Sequence, residues 1–517
     1  MGETVKNKKA EDLTGQDRFA WNLFVSWSSQ LVLIFSGFIM PRLVDEKVGQ
    51  VALGIWDFGW SFVAYLTFVG LGMGAAFNRY IAKHRAEGDF LRLNKVANSV
   101  ALVQFTLAFV AFLMTILFYF LLPIFFADTL TGHTHMAQGV VLFLGLSLVI
   151  DMASGSARGL ITGYHRWDIH NALHAGSSVF SLVLMMSALY FSDLGVIGMA
   201  IAYCLSTLVF ESLRFVFVAK ICKEFRFNLR LVDIKTCKKM MFFGIKSMIS
   251  NLPPILLLQT INLLLVSAIG PAALAVFARP MALTKQVRTF MSKFTLMLAP
   301  TTGSMQGNND IKSIRVLFMN TTKLSFAFAL PSLGFICIYG DLILTYWMGS
   351  DYALSNLIMI LAMGGILPMS QDTSLRILIG MNRHGRIAIC AFISIFFLFG
   401  FGLLFSGLNS LELTTAALLY IVPMNIVYGF LVPIYTCRVL NLSWFIYVRS
   451  SLLIPVLYIW PFFTLLYASR YVLNNGNTLY ASLLFIAGVL ITVLIYFKYL
   501  LAKKIQLKLL SKCGLKV

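Results

Sequence analysis

The sequence is poor in charge, and above all in negative charge. Only 12% of the 517 residues are charged, with 21 Asp and Glu against 41 Lys and Arg, while 59% are hydrophobic. Soluble domains carry about 25% charged residues, so this composition excludes a soluble globular protein and indicates an integral membrane protein. None of the seven cysteines lies in a CxxC pattern or a Cys/His cluster, so we expect free thiols and neither a structural disulfide nor a metal site.

Several other patterns are missing. Residues 1–18 are polar and of mixed charge, without the apolar segment and cleavage site of a signal peptide, so the first hydrophobic run is expected to be a permanent span. No GxxxxGK[ST] pattern is present, which argues against direct use of ATP. The net charge of +20 is dispersed between apolar runs rather than clustered, so we expect no nucleic-acid partner.

Long apolar runs dominate the sequence. Fourteen are near the length of about 20 residues that a membrane-spanning helix needs. We therefore predict an all-α integral membrane protein with fourteen transmembrane helices. The runs are residues 20–42, 50–76, 97–125, 139–162, 170–191, 196–219, 240–268, 272–299, 316–340, 354–379, 386–407, 412–436, 444–468 and 478–501.

The distribution of Lys and Arg predicts the orientation of these spans. If the N-terminus is inside, the predicted outer loops contain only Lys47 and Arg470, whereas most of the other cations fall in inner segments. Cytoplasmic loops carry an excess of Lys and Arg, so both termini are predicted to face the cytoplasm, in a multi-pass protein of the cell inner membrane.

The two halves of the chain resemble each other weakly. Residues 48–55 match residues 269–276 at an offset of 221, and the same offset brings Asp89 onto Asp310. Near an offset of 218, residues 156–158 meet residues 374–376. We predict two six-helix bundles in a pseudo-twofold repeat plus two C-terminal helices. The predicted parts are a cytoplasmic segment 1–18, a first bundle 19–222, a basic linker 223–239, a second bundle 240–438, two further helices 439–502 and a basic tail 503–517.

Two short stretches resemble a known family. GLGMGAAFNRYIA, residues 70–82, is followed by Ala86-Glu87-Gly88-Asp89, and RGLITGYHR occupies residues 158–166. Both resemble polysaccharide flippases, the O-antigen and exopolysaccharide branch of the multidrug/oligosaccharidyl-lipid/polysaccharide (MOP) exporter superfamily. The fourteen-span plan is similar to that branch as well.

The resemblance implies a function. Such proteins move an undecaprenyl-diphosphate-linked oligosaccharide from the inner to the outer leaflet, through a V-shaped cavity lined by the first, second, seventh and eighth helices. It also implies that a proton or sodium gradient drives transport without a bound cofactor. The partners would be the lipid-linked glycan and membrane lipids, and the resemblance leaves open contact with polysaccharide polymerase and chain-length machinery.

Cations inside the spans are the candidate substrate-binding residues. The eighth run carries Arg279, Lys285, Arg288 and Lys293. At about 100° per residue, Arg279 and Lys293 share one side of the helix, and Lys285 and Arg288 lie roughly opposite. Charges in a membrane are normally kept where they face protein or a water-filled cavity, and Arg and Lys suit a diphosphate, although end residues could instead snorkel to the interfaces. We assign Lys246, Arg42 and Arg79 to the same cationic cavity.

Other residues are assigned from their spacing. Pro253 and Pro254 interrupt the seventh run and predict a kink, which we interpret as a hinge rather than a static bend. Asp57 either pairs with Arg42 or serves as a protonation site for ion coupling. The last assignments are three structural charge pairs on single helix faces: Asp372 with Arg376, Glu211 with Arg214, and Asp151 with Arg158.

Four functions compete. The leading one is a lipid-linked oligosaccharide flippase that works by alternating access. A peptidoglycan lipid-precursor flippase is close to it, and a cation-coupled multidrug exporter shares the fold. The first span has no acidic residue between Trp21 and Pro41, which disfavours export of cationic drugs. A glycan polymerase or ligase needs a sizeable outer loop, and the longest one here, residues 126–138, is short, so we expect a transporter and not an enzyme.

Overall fold

The computed structural model describes residues 19–70, 74–248, 252–295, 297–407, 411–500 and 506. The regular structure in these ranges is helical. Short 3₁₀ turns occur at Thr67–Gly70, Leu229–Leu231 and Ser350–Tyr352, and π-helical segments at Asn425–Leu431 and Arg449–Leu453. The α-helices are α1 Phe19–Val48, α2 Gln50–Leu66, α3 Gly74–Ala86, α4 Phe90–Phe125, α5 Thr134–Ala153, α6 Gly155–Gly163, α7 Trp167–Phe191, α8 Gly195–Ile221, α9 Ile234–Met248, α10 Leu252–Ala268, α11 Pro271–Thr295, α12 Leu298–Gly307, α13 Ile311–Met348, α14 Ser355–Ser370, α15 Asp372–Gly380, α16 His384–Ser406, α17 Leu413–Met424, α18 Val432–Val439, α19 Trp444–Val448, α20 Ile454–Asn474 and α21 Thr478–Tyr499.

Each of the fourteen predicted spans corresponds to one helix or to consecutive helices. Eleven stretches among the described residues are long and apolar enough to cross a membrane on length and composition alone. The seventh, eighth and tenth predicted spans are not among them. In the seventh span, residues 249–251 between α9 and α10 lie outside the described residues. The tenth span is divided into α14 and α15, and α11 carries the four cations that lower its hydropathy. The predicted fold class, a multi-pass helical membrane protein, is confirmed.

The chain forms two compact units. The first contains residues 1–248 together with Gly270–Ala272, and the second contains Ile249–Ile269 and residues 273–517. Helix α9 therefore belongs to the first unit and α10 to the second. The chain passes from one unit to the other just before Pro253 and Pro254, and crosses again on either side of Gly270–Ala272.

In the first unit, glycines bring α3 and α6 together. A Cβ added at Gly159 would lie 2.1 Å from Phe77 Cδ1, and one added at Gly163 would lie 2.6 Å from Ile81 Cγ2. Phe77 and Ile81 are fully buried at this contact and belong to a core that also contains Leu160. Only glycine permits so close an approach, so RGLITG, the start of the second family-like stretch, is a packing motif.

The second unit repeats this arrangement with α12 and α15. A Cβ added at Gly380 would lie 2.5 Å from the Ala299 carbonyl oxygen, so α12 and α15 also meet at a glycine. Nearby, the Tyr447 ring stacks on Phe318 with centroids 4.8 Å apart, and its hydroxyl donates to Gln371 Oε1. Tyr447 is fully buried, so this contact holds α13, α15 and α19 in one core.

The backbone confirms the predicted repeat. Asp89 caps the start of α4 by accepting a hydrogen bond from Arg92 N at 3.0 Å, and Asp310 caps α13 by accepting from Ser313 N at 3.0 Å. Each cap follows a residue with positive φ, Gly88 at 68° and Asn309 at 56°, which again lie 221 positions apart. The matched helices α6 and α15 have nine residues each.

The linker after the sixth span is fastened to α4. Asn94 Nδ2 donates to the Glu224 carbonyl at 2.8 Å, and Asn94 Oδ1 accepts from Arg226 N at 2.7 Å. One turn later, Asn98 repeats the pattern with the Arg226 carbonyl and Asn228 N. Both side-chain amides thus satisfy backbone groups of the linker, which makes this basic segment an ordered part of the first unit.

Candidate functional site: a cationic helix and a polar cavity

Helix α11 separates its cations as the helical spacing predicts. Arg279 is buried, with 4% of its surface exposed, and its Nε donates to the Ala275 carbonyl at 3.3 Å. Lys285 and Arg288 are exposed on the helix surface. Among the described residues, neither has a carboxylate within ion-pair distance. The Lys293 side chain lies outside the described part of the structure.

The inner end of α11 belongs to a polar cluster within the second unit. Thr295 Oγ1 donates to Asp372 Oδ2 at 2.5 Å, and the same carboxylate oxygen accepts from Arg376 Nε at 3.3 Å. Both Arg288 and Asp372 lie close enough to the Tyr428 hydroxyl to act on it electrostatically. We call Lys285, Arg288, Asp372, Arg376 and Tyr428 the α11 cluster. Its three cations and one carboxylate leave it positively charged.

The other assigned cations are placed differently. Arg42 is exposed near the end of α1, and its Nε donates to Glu46 Oε1 at 2.7 Å. Asp57 is partly buried on α2, so its two assigned roles stay predictions. The side chains of Arg79 and Lys246 lie outside the described residues, although their backbones belong to α3 and α9.

Pro253 and Pro254 lie beside a short gap in the described structure. Helix α9 is described as far as Met248 and α10 from Leu252, and residues 249–251 between them lie outside the described residues. The predicted kink and the predicted hinge therefore both stay predictions. The chain changes units at this gap, between Met248 and Ile249.

The first unit contains a cavity of about 340 Å³. With the N-terminus inside, its walls come from the cytoplasmic halves of the spans. Both family-like stretches reach it, because Gly70 and Asn78 belong to the first and Arg158 and Thr162 to the second. The remaining polar and aromatic lining residues are Thr67 of the 3₁₀ turn after α2, Gln104 of α4, Asp151 of α5, and Trp167 and His170 of α7.

Two buried polar atoms of the cavity residues have no hydrogen-bond partner in the described part of the chain. Arg158 donates through one terminal nitrogen to the Asp151 side chain and, at 3.2 Å, to the Asp151 carbonyl. Among the described residues, its Nε is buried and has no hydrogen-bond partner, and the same is true of Gln104 Oε1. Both atoms are closed off from the cavity by neighbouring protein atoms.

A second ion pair lies directly behind the cavity. Glu211 and Arg214 of α8 are 7% and 2% exposed. Arg214 donates to both Glu211 oxygens at 2.8 and 2.9 Å, and its remaining nitrogen lies 3.1 Å from His170 Nδ1. Ser154 donates a further hydrogen bond to Glu211. All three assigned charge pairs are therefore brought together by the structure, but two of them adjoin a cavity that the spacing argument did not foresee.

Five polar or aromatic lining residues had no role in the sequence analysis: Thr67, Asn78, Gln104, Trp167 and His170. Asn78 lies inside the first family-like stretch, and Trp167 follows the second directly, so their positions gave a signal. Gln104 stands among apolar residues, and nothing in the sequence around His170 marks it as a cavity residue. Only packing of α4 and α7 onto α6 reveals them.

Known proteins with a similar sequence or structure share the helical membrane fold of this chain. Residues 27–187 match the sequence model of the MatE family. A multidrug resistance MATE family transporter of the MOP superfamily, solved in an inward-facing conformation, is 18% identical with a TM-score of 0.66, covering 80% of this chain and 98% of that one. The fold is that of the MOP superfamily transporters. No curated protein sequence matches the chain.

Two more MOP superfamily structures extend this likeness. An outward-facing multidrug resistance MATE family transporter is 16% identical with a TM-score of 0.58, covering 84% of this chain and 97% of that one. A transporter from Pyrococcus furiosus, described as having a binding pocket of reverse polarity that suggests a different function, is 15% identical with a TM-score of 0.58, covering 85% of this chain and 99% of that one. The MOP fold is thus solved in the inward- and outward-facing states that alternating access requires.

Proposed function

We propose that this protein flips an undecaprenyl-diphosphate-linked oligosaccharide repeat unit from the inner to the outer leaflet of the inner membrane by alternating access. The supporting observation is the exposure of Lys285 and Arg288 on α11, without a carboxylate partner among the described residues. Two uncompensated charges in a spanning helix are costly unless they face water or an anionic ligand. A diphosphate supplies both the charge and the acceptors, with Arg288 as a planar donor and Lys285 as a point charge.

The two sequence stretches of flippase type support the same proposal. Both lie at the cavity of the first unit, in the cytoplasmic half where a substrate made at the inner leaflet would enter. Transport in this proposal uses the proton or sodium gradient, with Asp57 as a candidate coupling residue. Arg42, Arg79, Lys246, Arg279 and Lys293 stay in the proposed cationic pathway.

A multidrug exporter is the second candidate, because two of the structures with this fold are described as multidrug resistance transporters. The excess of cations in the α11 cluster disfavours cationic drugs, since like charges repel them. A peptidoglycan-precursor flippase would present the same diphosphate to α11, so these cations do not separate it from the leading proposal.

Gene deletion tests the proposal. We expect loss of a surface polysaccharide and accumulation of the completed lipid-linked repeat unit at the inner leaflet, restored by the wild-type gene but not by Lys285→Ala/Arg288→Ala. The matched control is Lys312→Ala, which removes an exposed cation from the first turn of α13 and should restore export. Unchanged surface glycan combined with greater sensitivity to cationic drugs would instead establish the exporter, and arrest of cell-wall synthesis would establish the peptidoglycan alternative.

A further inference from the structure

We infer that the basic linker between the sixth and seventh spans binds anionic phospholipid head groups of the inner leaflet, and that its exposed apolar side chains enter the membrane interface. This interaction is separate from the proposed function, because it holds whichever substrate the protein transports. The surface consists of six exposed residues, which we call the linker surface: Arg226, Phe227, Leu229, Arg230, Ile234 and Lys235.

The backbone that presents the linker surface is held in place. Cys222 and Met240, on its two sides, are each 1% exposed and belong to the same buried core. Between them, the hydrogen bonds from the two asparagines of α4 are followed by one more, in which Ser99 Oγ accepts from Asp233 N at 2.9 Å. The exposed side chains therefore project from an ordered segment and have no buried position to return to.

Three large apolar side chains of the linker surface are exposed. Phe227 and Leu229 are each 60% exposed, and Ile234 is 70% exposed. The topology of the spans explains an excess of cations on the cytoplasmic side, but it gives no reason for exposed Phe, Leu and Ile beside them. Apolar side chains interspersed with Lys and Arg are typical of segments that lie in a membrane interface.

The attachment to α4 places the linker at the level of that interface. Helix α4 has 36 residues, which is about 54 Å at 1.5 Å per residue, whereas the hydrocarbon core is about 30 Å thick. Its apolar run begins near residue 97, and Asn94, Asn98 and Ser99, which hold the linker, lie at the beginning of that run. With the N-terminus inside, the linker therefore crosses α4 where head groups meet acyl chains in the inner leaflet.

The charge of the linker surface selects an anionic lipid. In the described part of the chain, no carboxylate lies within ion-pair distance of its three cations. The two acids of the linker already have partners, since Glu224 accepts from the Tyr164 hydroxyl at 2.8 Å and Asp233 caps the start of α9. The chain's own tail, residues 503–517, has five lysines and no acidic residue, so it would be repelled. Anionic head groups attract basic segments of this kind at the cytoplasmic surface.

Fluorescence quenching in lipid nanodiscs tests the position of the linker surface. An environment-sensitive fluorescent amino acid replaces Phe227 in the full-length protein, and the quencher is a phospholipid with brominated acyl chains. We expect strong quenching at this position. The control is the same probe at Asn308, an exposed position in the loop before α13, where we expect at most weak quenching.

The head-group preference is tested with the same probe. In discs of equal phosphatidylglycerol and phosphatidylcholine, we expect bromines on phosphatidylglycerol to quench the probe at Phe227 at least twofold more than bromines on phosphatidylcholine. Arg226→Gln/Arg230→Gln should abolish this difference, and Lys312→Gln, which removes an exposed cation from the first turn of α13, should preserve it. The hydrogen bonds that hold the linker here involve the backbone of Arg226 and Arg230, so the midpoint of thermal unfolding should not change in the double variant.

Absence of quenching at Phe227 would show that the linker surface faces water or a soluble partner, and would overturn the inference. Equal quenching by the two lipids in the wild type, or a preference that persists in the double glutamine variant, would also overturn it. None of these results depends on the transported substrate, so the linker surface and the flippase proposal can fail separately.

Discussion

Asn78 Oδ1 accepts a hydrogen bond from Thr162 Oγ1 at 2.9 Å. This bond joins the two stretches that resemble polysaccharide flippases, because Asn78 lies on α3 and Thr162 on α6. The same two helices approach each other at Gly159 and Gly163. Asn78 and Thr162 both line the cavity of the first unit. The family-like residues therefore combine two roles: close packing of two short helices and a polar wall beside them.

Replacing Gly159 at the contact of α3 and α6 should disturb the packing of these two helices. In Gly159→Ala the new methyl group would lie 2.1 Å from Phe77 Cδ1, and Phe77 is fully buried, so a neighbouring helix must move. We expect a loss of about 1–3 kcal/mol in stability, measured as a lower midpoint of thermal unfolding in detergent. Gly400→Ala on α16 is the control, since a Cβ there meets nothing within 4 Å. Equal midpoints for the two variants would show that α3 and α6 do not pack in this way.

Breaking the buried ion pair of Glu211 and Arg214 should cost more stability than breaking an exposed pair. Glu211→Ala leaves Arg214, which is 2% exposed, without its carboxylate, and should destabilise the protein by about 3–5 kcal/mol. Glu46→Ala breaks the exposed pair with Arg42 and should cost less than about 1 kcal/mol. Unfolding of both variants, followed by intrinsic fluorescence, checks this. A stable Glu211→Ala protein would mean that Arg214 reaches water or another anion.

Because Asn94 holds the linker to α4 by hydrogen bonds, we expect the linker to resist protease. Asn94→Ala removes two hydrogen bonds to the backbone of Glu224 and Arg226, worth about 0.5–1.5 kcal/mol each. Trypsin cleavage after Arg226 and Arg230 in inside-out vesicles should become about tenfold faster, because opening of the segment becomes easier. Thr106→Val on the same helix should not alter the rate. Rapid cleavage of the wild type would contradict an ordered linker.

The prolines predict a kinetic effect. Pro253→Ala/Pro254→Ala restores two backbone N–H groups and removes the constraint of two proline rings, next to the point where the chain changes units. If the chain bends at these prolines during transport, flipping in reconstituted vesicles should slow severalfold while substrate affinity stays unchanged. Pro123→Ala, near the end of α4, is the matched control. A normal rate in the double variant would leave the prolines with only a structural role.

Much of the fold could be predicted because two signals are strong in a membrane protein. The length of an apolar run identifies a span, and the distribution of Lys and Arg between the loops predicts the direction in which the span crosses the membrane. The matching caps at Asp89 and Asp310 show that even a weak repeat in the sequence reports a real repeat in the backbone. The breaks within spans were harder to predict, since a single residue separates the two helices: Ser154 lies between α5 and α6, and Gln371 between α14 and α15.

The site could be predicted only in part. Helical spacing placed Arg279 opposite Lys285 and Arg288, and their burial differs accordingly. The cavity of the first unit could not be found in this way, because it needs distant helices to bring Gln104, Arg158 and Trp167 together. Pairing of Asp151 with Arg158 was visible as a spacing of seven residues, but the free Nε of Arg158 was not.

Binding of undecaprenyl diphosphate to the purified full-length protein tests the central claim most directly. Native mass spectrometry can compare this lipid with undecaprenol, which lacks the phosphates, for the wild type, Lys285→Ala/Arg288→Ala and Lys312→Ala. Each lost charged hydrogen bond is worth about 1.5–3 kcal/mol, so we predict at least a tenfold weaker affinity for the diphosphate in the double variant and no change in the control. Equal affinity of wild type and double variant for the diphosphate lipid, or equal binding of undecaprenol by the wild type, would contradict the account.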